Sequence, residues 1–340
     1  MTIRPVPEND ARIAGSLNPL RQDAGSFGSW RSVSDPGLGY SYAINGMSSV
    51  QDLRGTLSMY QWSTASIYFS FPDSPSDYGV GYFDQAAISN GFEELTEGQK
   101  LIVRHALDEV EKFVNLQFIE IPANTTNTPQ LRFAQSDEAE TAYAYLPGGF
   151  SAAGDAFYGP SIDATVTAGS YSWHTIFHEL GHQLGLKHGH ESDDFGALPS
   201  SRDSQDFSLM TYRDRLFSDV SGYSILDGDY PISFQMADIA ALQWMYGPNY
   251  SHNASDNVYS WSPGSAVTLV DGINPSAFVR TTDTIFVTTW DGGGIDTYDF
   301  SDFTQDTDID LRPGAYSVVS SAQLADLDFA TSGPDALAGR

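Results

Sequence analysis

Residues 173–188 read WHTIFHELGHQLGLKH and contain the pattern H-E-x-x-H-x-x-G-x-x-H. Ser172 to Leu184 is expected to be a helix, with Ile176, Phe177, Leu180 and Leu184 as its apolar side. His178 and His182 stand four residues apart, so on that helix both imidazoles leave from one face and converge on one ion. Glu179 is rotated beside His178, where its carboxylate reaches a water on that ion without being a ligand itself. Gly185 falls just past the helix, where a left-handed turn is least strained for glycine. Such a turn sends the chain back and lets His188 supply a third nitrogen. Three neutral imidazoles with an open position are the coordination of a catalytic zinc. Two histidines at helical spacing are often ordinary surface or core residues; the full five-residue pattern is far more specific to a metal site.

Toward the N-terminus, Ala65 to Phe71 alternates and is β-rich, which predicts a strand stopped by Pro72. Thr96, with Gln99 three residues on, reads as a capping box. It opens an amphipathic helix over Lys100 to Val114. Val103, Leu107, Val110 and Val114 form its apolar face, flanked by Ala106 and Phe113. Gln117–Ile121, Gln130–Phe133 and Ala142–Leu146 read as strands, the last ended by Pro147-Gly148-Gly149. A third helix is expected over Ser233 to Met245, stopping at Gly247-Pro248. Past residue 250 helical patterns give way to short β-like runs, such as Val267–Val270, Thr284–Thr288 and Thr297–Phe300. The division expected is therefore a leader or removable pro-segment over 1–35, an α+β catalytic domain over 36–250 and a β-rich domain over 251–340. An ordinary disordered terminus is the alternative for 1–35, which is polar and weakly patterned.

A chain of 340 residues with 41% hydrophobic and 13% aromatic residues is long enough for about two packed domains. Lys and Arg total 16 against 44 Asp and Glu, a formal net charge of -28. Phosphate backbones and anionic bilayers would repel such a chain, so neither nucleic acid nor membrane insertion is expected. The acidic, lysine-poor composition (Lys100, Lys112 and Lys187 alone) is compatible with a salty habitat. With no cysteine there is no disulfide, thiolate zinc site or cysteine nucleophile. Residues 1–21 lack the apolar run of a secretory signal peptide, and no stretch of about 18 apolar residues occurs.

The extended motif, followed by a methionine turn, is the metzincin signature, and Ser208-Leu209-Met210-Thr211-Tyr212 looks like that turn. Further segments resemble the serralysins, secreted bacterial zinc proteases of the RTX class. They are AYAYLPGG at 142–149, ADIAALQ at 237–243 with Tyr246-Gly247, and WDGGGIDTYDF at 290–300. The likeness covers most of residues 60–320. It implies a metzincin-like catalytic domain, with a twisted mixed sheet, long helices and a zinc cleft, followed by an all-β calcium-binding domain. It also implies that Met210 and Gly185 are structural and that Tyr212 is an extra, switchable zinc ligand. Ala142, Tyr143, Ala144, Tyr145 and Leu146 would form the edge strand that pairs with extended substrate.

Gly292, Gly294, Asp296 and Tyr298 fit the calcium-binding repeat G-G-x-G-x-D-x-U-x, with Asp291 in place of its first glycine. The resemblance makes Asp291, Gly293, Gly294 and Asp296 calcium ligands; a glycine-rich turn without an ion is the plain alternative. No further repeat precedes Arg340, so the β domain is expected to be short or truncated. His188 is followed by Gly189 where serralysins often have proline, which puts the loop beyond the third ligand in question. The activity implied is that of a secreted, extracellular zinc endopeptidase, monomeric and exported by a type I-like route. It would act on protein or peptide substrates, with one catalytic Zn²⁺, structural Ca²⁺ and Glu179 as general base. A non-catalytic calcium-dependent binding module on a protease scaffold, or a non-peptidase metalloenzyme, remains open. The other histidines are not expected to bind zinc: His174 at the rim of the site, His190 just past the third ligand, His105 solvated, and His252 in the domain junction.

Overall fold

The computed structural model describes residues 54–124, 128–220, 223–276, 278, 280–312 and 315–327, with the backbone of 31–34 and 41–44. The expected leader lies outside the described residues except for 31–34. Strands β1 (Arg31–Ser34), β2 (Ser41–Ile44) and β3 (Tyr60–Trp62) form a small antiparallel sheet in that order.

Among the described residues, the main sheet has six strands: β4 (Ser66–Ser70), β5 (Glu93–Glu94), β6 (Gln117–Glu120), β7 (Leu131–Gln135), β8 (Ala142–Ala144) and β9 (Asp155–Tyr158). Its order is β6-β4-β7-β9-β8, with β5 paired antiparallel to β7. The first four run parallel and β8 runs antiparallel to β9 at the edge, so the sheet is mixed. β4 alternates, with Ile67 and Phe69 buried and Tyr68 exposed. β9 is buried throughout, as is β7 up to Arg132-Phe133-Ala134, the pattern of interior parallel strands covered on both sides.

β9 is not foreshadowed by periodicity, because its first residue is an acid. Asp155 is tolerated there because Arg132, its register partner on β7, reaches it through Nε and Nη2 at 2.7 and 2.8 Å.

Among the described residues, four α-helices complete the first part: α1 (Gln85–Ser89), α2 (Glu97–Phe113), α3 (Tyr171–Gln183) and α4 (Met236–Tyr246). The Thr96–Gln99 capping box opens α2 with reciprocal bonds of 2.9 and 3.2 Å. All six apolar positions predicted for its inner side are buried. α2 packs against α3 and β6, and α3 packs against β8 and β9. α4 starts at Met236 rather than Ser233, because the Gln235 N–H is taken by Asp238 Oδ2 at 3.0 Å and caps the helix there.

His105 departs from its solvated expectation. It sits on the edge of the apolar face of α2, with its ring 5.3 Å from Trp173 and 4.7 Å from Phe278.

Past residue 250 the described strands are β10 (Val258–Ser260), β11 (Leu269–Val270) and β12 (Thr297–Asp299), in the order β11-β10-β12. Thr284–Thr288 is not a strand. Its backbone is tied to scattered partners instead: Ile285 N–H to the Gln323 carbonyl and Thr288 N–H to Ser233 Oγ. Phe286, Ala325 and Leu327 close a small core with Ile225 and Tyr230, joining this region to the loop before α4. No helix among the described residues is long and apolar enough to cross a membrane.

Candidate active site

Ser170 caps α3, its Oγ accepting the Trp173 N–H at 3.1 Å. Trp173, Ile176, Phe177 and Leu180 anchor the helix in the main core. Its C-terminus is a Schellman turn. Leu186 N–H donates to the Gly181 carbonyl and Gly185 N–H to the His182 carbonyl, both at 2.9 Å. Gly185 has φ of 103°, and a Cβ there would overlap the Tyr60 carbonyl oxygen. The returning chain is fastened to the segment before β3 by Ser58 N–H to the Gly185 carbonyl and Lys187 N–H to the Thr56 carbonyl.

This turn brings His188 back over His178 and His182. Nε2 of His188 lies 3.2 Å from Nε2 of both other rings. Each Nδ1 faces an oxygen: Leu209 carbonyl for His178 at 2.9 Å, Leu186 carbonyl for His182 at 2.8 Å, and Glu191 Oε1 for His188 at 2.9 Å. A proton on each Nδ1 satisfies those oxygens and leaves three Nε2 lone pairs crowded on one point. Tetrahedral zinc with bonds of about 2.0–2.1 Å sets its nitrogens about 3.3–3.4 Å apart, so the group fits that ion. Burial depresses the basicity of all three rings, His182 to about 4, which keeps them in the neutral form that binds metal.

Glu179 is fully buried beside them, and neither carboxylate oxygen has a hydrogen-bond partner among the described residues. Burial pushes its carboxyl up to about 8; a dication at the histidines would draw it down again. Tyr212 packs its ring 4.3 Å from the ring of His188 and 6.0 Å from that of His178. Burial, followed by the nearby Glu179 and Glu191 carboxylates, raises its phenol.

Met210 is fully buried beneath the site, with its Sδ against Gly181 of α3. Its turn is fixed from α4, because Asp238 accepts Ser208 Oγ–H at 2.6 Å and Leu209 N–H at 2.9 Å. Asp238 thereby sets the Leu209 carbonyl that holds His178.

Among the described residues, strand β8 pairs with β9 on one side and with no strand on the other. Tyr145 N–H donates to the Asp155 carbonyl and Gly159 N–H to the Thr141 carbonyl. By antiparallel alternation, the N–H and C=O groups of Ala142, Ala144 and Leu146 point away from β9. Tyr143 and Tyr145 point their hydroxyls at one carboxylate, Asp84 Oδ2, at 2.7 and 2.9 Å. Asp84 also caps α1 through Ala87 N–H. Asp84, Asp238 and Glu191 were not picked out from sequence. Asp84 and Asp238 carry the cap signal of an acid at a helix start; Glu191 has only its place three residues after His188.

Asp291, Gly293, Gly294 and Asp296 lie in one turn before β12. Asp291 accepts Gly293 N–H at 2.8 Å and the Tyr259 hydroxyl at 2.5 Å, and Asp296 accepts Asn257 N–H at 2.9 Å. Among the described residues, the groups of three or more His, Asp or Glu with convergent ligand atoms are His178-His182-His188 and His188-His190-Glu191. His174 is not at a rim. It is 1% exposed, and its ring lies 5.1 Å from those of Tyr223 and Tyr230. His190 stacks on His188, and His252 is half-buried, its carbonyl accepting Gly292 N–H.

Fold and site together place a three-histidine cluster, two of its members on α3, beside the edge of a mixed sheet. Residues 249–324 match the family described as Peptidase M10 serralysin C terminal. The chain is 29% identical over 282 residues to Serralysin of Proteus mirabilis, covering 76% of this chain and 54% of that one. It is 29% identical over 283 residues to Metalloprotease AprA of Pseudomonas entomophila, covering 75% and 53%. It is 28% identical over 243 residues to Serralysin C of Dickeya chrysanthemi, covering 67% and 49%. The chain thus resembles serralysin-type metalloproteases, and it spans about half the length of these relatives.

Proposed function

We propose that this protein is a secreted zinc endopeptidase of the serralysin type. The observation that carries the reading is the convergence of three Nε2 atoms, that of His188 lying 3.2 Å from each of the other two, beside a buried carboxylate with no hydrogen-bond partner among the described residues. His178, His182 and His188 would hold one Zn²⁺. Bound there, the ion supplies Lewis acidity to the attacking water and to the scissile carbonyl. Glu179 would take a proton from the attacking water and hand it to the leaving amine, a task supported by two carboxylate oxygens that have no hydrogen-bond partner among the described residues. The Tyr212 hydroxyl donates a hydrogen bond to the oxyanion. An extended peptide pairs with the groups of Ala142, Ala144 and Leu146 that point away from β9, and Asp84 holds that strand through Tyr143 and Tyr145. Recognition through backbone groups predicts broad sequence tolerance and a preference for unfolded protein. Asp291 and Asp296, with the carbonyls of Gly293 and Gly294, would hold a structural Ca²⁺.

The test is Glu179→Gln, assayed for zinc content and for cleavage of an unfolded protein. The variant is expected to keep one zinc per chain and to lose turnover by about 10²- to 10⁴-fold. Turnover close to that of the unaltered protein would remove Glu179 as the base.

A further inference from the structure

The three imidazoles are held by unequal partners. His178 and His182 each face a neutral main-chain carbonyl, whereas His188 faces the Glu191 carboxylate at 2.9 Å. A carboxylate accepting the Nδ1–H of a metal-bound imidazole fixes its tautomer and orientation and makes the other nitrogen a stronger donor than a carbonyl does.

The loop carrying Glu191 is pinned so that this contact persists. Lys187 is buried at 2% exposure, and its ammonium donates to the carbonyls of Gly55 at 2.8 Å, Glu191 at 2.8 Å and His188 at 3.3 Å. Glu191 N–H donates to the His188 carbonyl, which folds the chain back over the third ligand. Beyond it, Leu198 N–H donates to the Gly189 carbonyl and Met59 N–H to Asp194 Oδ2. The loop is therefore fastened at both ends to the segment before β3.

His188, His190 and Glu191 also have ligand atoms close enough for an ion of their own. The rings argue against one. His188 and His190 are stacked, with centroids 5.2 Å apart and planes 13° apart, so their in-plane lone pairs run side by side and do not converge. The Nδ1 of His188 also carries the proton given to Glu191 when Nε2 faces the catalytic ion. The group is a support for the first site.

We propose that Glu191 is a positioning residue of the metal centre, holding the Nδ1–H of His188 and strengthening its hold on zinc, on a loop that the buried Lys187 ammonium locks in place. This rests on the zinc reading above, although not on peptide cleavage. The experiment is a zinc titration against a competing fluorescent chelator, with the full chain and no substrate, for the unaltered protein, Glu191→Gln, Glu191→Leu and Asp193→Asn. Glutamine keeps an acceptor and loses the charge; leucine loses both. Asp193 is an exposed acid of the same loop and controls for loss of charge alone.

Zinc affinity is expected to fall by about 10-fold in Glu191→Gln and toward about 100-fold in Glu191→Leu, with Asp193→Asn changed by less than about twofold. The apoprotein melting midpoints should coincide. The proposal is overturned if Glu191→Leu binds zinc as tightly as the unaltered protein, or if Asp193→Asn loses as much as Glu191→Gln. It is also overturned if the apoprotein midpoints fall in step with zinc affinity, the mark of a merely structural role. Zinc held with this order of affinities, but no cleavage of any protein, would sink the peptidase reading and leave the role of Glu191 standing.

Discussion

His178, His182 and His188 were legible from spacing because a helix and a glycine turn leave little freedom in where their rings point. Their supports were less legible: the Leu209 and Leu186 carbonyls are main-chain atoms, which no side-chain pattern announces. His174 shows the same limit. Its place four residues before His178 suggested the rim, yet Tyr223 and Tyr230, distant in sequence, enclose it. Tyr212 is the site residue whose role is most open to test at this scale. Its ring packs on His188 independently of its hydroxyl. Tyr212→Phe is therefore expected to keep its zinc while turnover falls by about 10²-fold, the cost of one oxyanion donor. Metal analysis beside a rate measurement checks this; loss of zinc with the hydroxyl would make the tyrosine structural.

At the scale of elements, α2 fell where its cap and apolar face predicted, and α3 lies one residue N-terminal of the span its apolar side predicted, since both signals are local. β9 did not, because the charge of Asp155 breaks the strand pattern and only the neighbouring strand supplies Arg132. The start of α4 was missed for a similar reason. Asp238 caps its own helix and also grips the methionine turn, a tertiary contact with Ser208 and Leu209. Burial pushes the Asp238 carboxyl up to about 7, against the pull of those hydrogen bonds. The native state then holds a proton that the unfolded chain has released between about pH 4 and 7. The group favours folding most below about pH 4, and that contribution is lost as pH rises through 7. Asp238→Asn removes the titration. In denaturant titrations of the apoproteins, the stability advantage of the unaltered chain over the variant should shrink from pH 4 to 7. A constant difference would show that this carboxyl titrates alike in both states.

In the whole molecule, the described residues past 250 contain no α-helix, but their regular strands are few and their runs bond to scattered partners. Phe286, Ala325 and Leu327 pack on Ile225 and Tyr230 of the loop before α4, so the region supports the ground around the site. Calcium in the turn of Asp291 and Asp296 would brace that support. Added Ca²⁺ is expected to raise the melting midpoint of the zinc-loaded protein, and Asp291→Asn to abolish the rise; an equal rise in the variant would place calcium elsewhere. The central claim, that three histidines and one carboxylate make a peptidase, is met most directly by cleavage of an unfolded protein. The reaction is run before chelation, after chelation and after zinc is returned. The account predicts that cleavage stops with the chelator and resumes with zinc. Cleavage that persists without metal, or a folded, zinc-loaded chain that cleaves nothing, would contradict it.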